Sequence, residues 1–266
     1  MSNRLFVGLE WLPKPTEAFN SRCKAALDLR ADVGRELRSL ATSALDQTQL
    51  MRLAGTIDKL RSSGASLKPL TPFRLALLSN CTIDFIAPAL VATAVRHGIS
   101  LEVIKGGYDQ VLQDVLAPDS IINRSAPDAV LLAIDYMGLP LRSAVGNERN
   151  GRDAVDTSLN YLHSVREGIR RNSNAVCIFQ TLSAPPETLF GNMDGIYSGS
   201  LRRMIDDINT GIAKLVQGST DVVVDVAHLA SIIGLGEWHS PREWDTAKVP
   251  FSDAFVPFYA AQFRSG

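Results

Sequence analysis

The residues with the most chemical potential stand in a row, Ser79-Asn80-Cys81-Thr82. They follow an apolar run, residues 75–78, that reads as a buried strand, and precede a stretch, 85–96, that reads as a helix. The carboxyl end of a strand is where open α/β sheets bind ligands. The unpaired N–H groups of a helix amino terminus favour negative charge, which lowers the pKa of a nearby thiol and makes it a better nucleophile. Cys81 is therefore a candidate for covalent chemistry, with Ser79, Asn80 and Thr82 as ligand-binding neighbours. Asp84 works against a thiolate there by like-charge repulsion. An inert, buried cysteine is the other reading of the same residue.

A sheet must hold that junction. Short runs rich in Val, Ile and Leu recur at 75–78, 101–104, 129–134, 175–179 and 222–226, with helical stretches at 85–96, 108–115, 154–171 and 201–216. Continuous apolar strands separated by helices predict a parallel sheet covered on both faces. Ahead of them, Leu27, Val33, Leu37 and Leu40, then Leu50, Leu53, Ile57 and Leu60, recur at helical spacing with no strand pattern. The expected organisation is a helical arm over 1–66 and an α/β domain over 67–266. Two loops rich in glycine, 138–153 and 183–200, follow the third and fourth strands. They belong on the carboxyl edge of the sheet beside Cys81, where long loops shape pockets.

Composition narrows the classes. A net charge of −1 over 266 residues gives no general case for nucleic-acid binding. The three cysteines, Cys23, Cys81 and Cys177, match neither a disulfide framework nor a zinc pattern, so a reducing, cytoplasmic setting is expected. No metal-ligand spacing and no glycine-rich nucleotide fingerprint appears, so no metal or organic cofactor is expected. The opening residues 1–13 start like a secretory leader, but Glu10 and Pro13 interrupt it. The longest apolar run, near 85–95, contains Pro88 and is too short to span a bilayer, so no membrane partner is expected.

Several segments taken together carry a family resemblance. They are Leu77-Leu-Ser-Asn-Cys-Thr-Ile-Asp84, Arg96-His-Gly-Ile-Ser-Leu-Glu-Val103, Gly107-Tyr-Asp-Gln110, Pro118-Asp-Ser120, Pro127-Asp-Ala-Val-Leu-Leu-Ala133 and Trp244-Asp-Thr-Ala-Lys-Val-Pro-Phe-Ser252. With Leu9-Glu-Trp-Leu-Pro13 and the helical arm, their order resembles the amino-terminal region of FkbH-like proteins. The resemblance implies an SGNH-hydrolase-like fold, a flavodoxin-like three-layer sandwich around a parallel sheet of about five strands. Full-length relatives carry a phosphatase domain after this region and are associated with making glyceryl-carrier-protein units. The phosphatase signature Asp-x-Asp-x-Thr is absent from this sequence, and the chain is expected to stop about where that domain would begin.

Hydrolases of that fold need a serine after the first strand, oxyanion donors from the next strand ends, and an Asp-x-x-His pair before the last helix. On the resemblance, Cys81 takes the nucleophile position and Gly106-Gly107 the oxyanion glycine. Asp135 stands where an oxyanion asparagine would be, and a carboxylate there would repel a developing oxyanion. Asp245-Thr-Ala-Lys248 replaces the acid–histidine pair, which leaves Lys248 as a cation for Asp245 or for an anionic ligand. Asp225-Val-Ala-His228 has the right spacing one element too early, and His239 lies in the loop approaching the site. The candidate site is therefore Cys81, Asp245 and Lys248 for catalysis, with Ser79, Asn80, Thr82, Gly107, Asp135 and His239 for binding. Three functions stay open: handling of a short glyceryl-type acyl group or its acyl carrier protein through a Cys81 thioester, a catalytically degenerate domain that binds a carrier protein, a phosphopantetheine-linked acyl group or a phosphatase partner, and an SGNH-type esterase.

Overall fold

A computed structural model of the chain describes residues 8–263, so the first seven residues of the leader-like opening lie outside it. In chain order the arm holds α1 (Phe19–Ala25), α2 (Val33–Ala41) and α3 (Gln47–Ser62), followed by β1 (Thr71–Ser79), α4 (Ile86–Arg96) and β2 (Ile99–Lys105). Then come α5 (Val111–Leu116), α6 (Ile121–Ser125), β3 (Ala129–Ala133), α7 (Glu148–Asn172), β4 (Val176–Gln180), α8 (Leu201–Val216) and β5 (Val222–Val224). Four short helices close the chain: α9 (Val226–Ile233), α10 (Leu235–Trp238), α11 (Pro241–Ala247) and α12 (Val256–Ala260). Among the described residues no helix is long and apolar enough to cross a membrane.

The sheet runs in the order β2-β1-β3-β4-β5. This is the doubly wound order in which the chain reverses direction between β1 and β3, and the crevice at their carboxyl ends is the usual ligand position. Both the parallel sheet and the helical arm expected from the apolar patterning are present.

The described residues fall into two compact units. The first takes in the chain up to Arg74, Ile83–Val103, and the residues from Ser252 on. Its helices form because apolar residues fall on one stripe: Leu50, Leu53, Ala54, Ile57 and Leu60 of α3 are buried. Asp46 starts that helix with a capping box, accepting from Gln49 N–H while the Gln49 side chain accepts from Asp46 N–H. Arg61, on the last turn of α3, donates to the carbonyl of Leu101 at 2.6 Å.

The second unit is Leu75–Thr82 with Ile104–Phe251. Here Leu75 to Ser79 pair with Ala129 to Ala133, β3 pairs with β4, and β4 with β5, all parallel. Strand residues Leu78, Val130, Leu132 and Phe179 pack with Leu162, Val165 and Ile169 of α7 and with Met204, Ile205, Ile208 and Ile212 of α8. Each such side chain stabilises the unit by about 1.5–3 kcal/mol relative to exposure.

One helix start differs from the sequence expectation. α7 begins at Glu148 rather than near 154, because Asn147 caps it by accepting from Asn150 N–H at 3.0 Å. Gly151 in its first turn lets the carbonyl of Ser198 approach, where a Cβ would stand at 2.2 Å. Gly146 N–H donates to the carbonyl of Gly199 at 2.8 Å, so the two glycine-rich loops are tied to each other. α4 begins at Ile86, within one residue of the expected start and five residues past Cys81, so the thiol is outside its first turn.

Candidate functional site

The end of β1 is closed by its own side chains. Ser79 O–H donates to the carbonyl of Ala133 at 2.7 Å, and Cys81 N–H donates back to Ser79 Oγ at 2.9 Å. The Asn80 amide then imitates one more step of the β ladder. Its Nδ2–H donates to the carbonyl of Asp135 at 3.1 Å, and its Oδ1 accepts from Asp135 N–H at 2.7 Å. Gly138 makes room for it, since a Cβ there would stand 2.1 Å from Asn80 Nδ2. These side chains fix the backbone of Asp135, where β3 ends.

Cys81 is 2% exposed, and its S–H donates to Asn80 Oδ1 at 3.4 Å. Burial first, and the neighbouring Asp135 charge second, push its pKa up, the reverse of the depression expected at a helix start. The reason is geometric: Cys81 lies five residues ahead of the helix, and Ser79 and Asn80 just before it are hydrogen-bonded to the end of β3. Gly107 does not present a free oxyanion donor, because its N–H donates to Asp114 Oδ2 at 2.8 Å. Gly106 N–H likewise donates to the carbonyl of Leu77. Thr82 is held by backbone groups of the 247–248 segment, donating through N–H to Lys248 O at 2.9 Å and through O–H to Ala247 O at 2.5 Å.

Lys248 caps α11 in the left-handed conformation, with φ of 55°. Its ammonium lies over the Trp244 ring, 5.4 Å from the centroid, an interaction that favours a cation above the π face. The other acid–histidine spacing is a helix cap: Asp225 Oδ1 accepts from His228 backbone N–H and from Thr181 O–H.

A cavity of about 600 Å³ lies over the end of β3, within the range of small-molecule sites. Of the nine expected residues, it brings together Asp135, His239 and Asp245, while Ser79, Asn80, Cys81, Thr82, Gly107 and Lys248 do not line it. Sequence reasoning had not singled out Arg142, Arg202, Tyr136 or Trp244, which also line it. The first two sit in or just past the glycine-rich loops, and that loop composition was the available signal.

Asp135 is nine-tenths buried, and burial pushes its carboxyl up to about 7. Its Oδ1 accepts from Met137 N–H at 2.9 Å, and Arg142 offsets part of the shift. His239 Nε2 lies 2.9 Å from the carbonyl of Ala184 and 3.1 Å from Ser183 Oγ. A carbonyl only accepts, so Nε2 carries the ring proton. A base for a serine nucleophile needs that nitrogen bare, so Ser183 and His239 are not arranged as a hydrolytic pair. Burial also lowers the His239 pKa, which favours the neutral ring. Among the described residues no group of three or more His, Cys, Asp or Glu side chains is placed to hold a metal ion.

The family model described as FkbH, N-terminal domain, matches residues 74–264. The chain belongs to the FkbH N-terminal domain family. Among solved structures, it is similar in fold to the N-terminal part of a Bacteroides fragilis protein containing a phosphatase domain, crystallised with Mg, at 14% identity and a TM-score of 0.68. That match covers 82% of this chain and 55% of the other. No curated protein matches the chain. For this FkbH N-terminal domain, the cavity lies past the carboxyl ends of β3 and β4, walled by the two glycine-rich loops and the 239–250 segment.

Proposed function

We propose that this FkbH N-terminal domain binds a short acyl group on a phosphopantetheine arm and does not hydrolyse it. The observation that carries the reading is a cavity with apolar walls and two arginines, beside a thiol and a histidine that are both engaged elsewhere. Trp244, Leu189, Val249 and Pro250 offer apolar contact, while Arg142 and Arg202 offer charge for a phosphate. The glyceryl-type acyl group and the carrier protein come from the family resemblance. No step is routed through Cys81, because a protonated, enclosed thiol is a poor nucleophile.

A protein partner is favoured by the loop after β4. Leu189 and Ile196 are 66% and 70% exposed, and Phe190 and Met193 are exposed beside them. Four large apolar side chains on one loop make a natural contact for a carrier protein delivering its arm. A phosphatase domain is the alternative occupant of that loop.

Calorimetric titration of the whole chain with S-glyceryl-4′-phosphopantetheine, then with a glyceryl-loaded carrier protein, tests the reading. Binding weakened by roughly tenfold or more in Arg202→Glu is the expected result, since a charge-assisted contact would be reversed. Absence of heat with both ligands at high concentration would overturn it. Turnover of a chromogenic ester well above background would favour the esterase instead.

A further inference from the structure

Asp135 is a buried carboxyl that lines the cavity, with the Arg142 guanidinium on the same wall but not in ion-pair contact with it. It is 9% exposed, and among the described residues no ion pair includes it. Its Oδ1 accepts the Met137 N–H at 2.9 Å, and the Tyr136 N–H also favours the carboxylate from the backbone side. Asn80 holds its backbone from both the N–H and the C=O side. A rigidly held, buried carboxyl in a cavity wall, held by backbone N–H groups and facing a space large enough for a ligand, is a recognition group.

We infer that Asp135 acts as a neutral carboxylic acid that donates a hydrogen bond to an acceptor oxygen of the bound acyl group, so that the cavity holds its ligand while Asp135 is protonated and releases it on ionisation. The inference rests on the cavity reading above and adds to it a selectivity and a pH dependence. A carbonyl or hydroxyl oxygen at that position is accepted, and an apolar end of the same size is rejected.

The groups facing Asp135 are compatible with this role. From the end of β1 comes the Cys81 thiol, which stays protonated. Tyr136 and Arg142 follow β3, and Arg142 hydrogen-bonds the Tyr136 side chain and favours the ionised forms of both Asp135 and Tyr136. Glu187 and Asp194 stand on the 183–200 loop, and Arg202 on α8. From the remaining side come Asp245 and His239, the latter with its pKa lowered by burial.

S-glyceryl-pantetheine is the probe, because it has no group of its own titrating between pH 6 and 8.5. With an Asp135 value of about 7, the wild-type affinity falls by roughly thirtyfold from pH 6 to pH 8.5, following the fraction protonated. Asp135→Asn keeps a donor and the Met137 contact, so its affinity stays near the wild-type pH 6 value throughout. Asp135→Ala binds weakly at every pH. A flat wild-type profile, or an Asp135→Asn profile parallel to wild type, overturns the inference and leaves the cavity reading standing. Absence of probe binding at every pH overturns it as well, and the phosphopantetheine titration then decides whether the cavity reading falls with it.

Discussion

Asp135 and Asp221 are buried carboxylates of the same unit, at 9% and 8% exposure, Asp135 past the carboxyl end of β3 and Asp221 ahead of the amino end of β5, with β4 between the two strands. Asp221 stands just before β5 and is surrounded by donors. Arg166 Nε reaches its Oδ2 at 2.6 Å, Arg170 reaches the same oxygen at 3.1 Å, and Cys177 N–H donates to its Oδ1 at 3.1 Å. Those contacts outweigh burial and hold its pKa below the usual carboxylate range. Asp135 stands just after β3, lacks an ion pair, and is pushed the other way. Equal burial with opposite surroundings separates a carboxylate paired with two arginines ahead of β5 from one that lines a cavity past the carboxyl end of β3.

The comparison is broken most forcefully at the paired site. Asp221→Ala leaves Arg166 as a buried cation without its partner, which costs about 3–5 kcal/mol. The thermal midpoint should drop by many degrees while the cavity keeps its ligand. Because the folded value is depressed, this stabilisation is present above the ordinary carboxylate range and is lost as the pH falls through the folded value. A loss under 1 kcal/mol, measured by urea unfolding at pH 7, would mean the pair contributes little.

At the open site the scaffold is tested by Gly138→Ala. The new methyl would meet Asn80 Nδ2 at 2.1 Å and force the amide off the Asp135 backbone. Overpacking of this kind costs about 1–3 kcal/mol. Ligand affinity should fall with it, because the Asp135 carboxyl loses its fixed direction. Unchanged affinity in a destabilised variant would show that the ladder-like amide is structural alone.

Asp135→Asn should act with the opposite sign to Asp221→Ala. A raised folded pKa means that wild-type stability is fully present below the unfolded value near 4 and declines as the pH rises through about 7. The variant escapes that decline, so it gains stability at pH 8 and nothing at pH 4. The ceiling is ~4 kcal/mol at 1.36 kcal/mol per pKa unit, and ~1–2 kcal/mol is expected after local relaxation. Paired melts at pH 5 and pH 8.5 check the sign, and equal gains at both values would refute it.

Much of this arrangement is legible in the sequence, and the misses have physical causes. Runs such as Ala129-Val-Leu-Leu-Ala133 are apolar on both faces, so the parallel sheet announces itself, as does the helical arm through the Leu50–Leu60 stripe. Asp135 stands out as a carboxylate at a strand end. The direction of a side chain leaving a turn, however, depends on local dihedral angles that periodicity does not encode. Lys248 is an example: its left-handed φ carries the ammonium over Trp244. Arg142 reaches the cavity from a loop and Arg202 from the first turn of α8, positions with no repeating pattern, and the enclosure of Cys81 against Asn80 depends on tertiary packing.

The smallest effect uses Cys81 as a reporter of Asp135. Burial is the first cause of its raised pKa and the Asp135 charge the second, so the two are separable by mutation. Iodoacetamide labelling of the native chain at pH 8, mapped by peptide mass, should be far slower at Cys81 than in the urea-unfolded chain. Replacing Asp135 by Asn removes the charge and leaves the burial, so labelling should speed up by only about two- to fivefold. Labelling of the wild-type thiol at the unfolded rate would place Cys81 in contact with solvent and return it to the list of nucleophiles. An Asp135→Asn rate identical to wild type would mean that the carboxyl is already neutral at pH 8, so its pKa would lie well above 7 and the expected loss of ligand affinity would move to more alkaline pH.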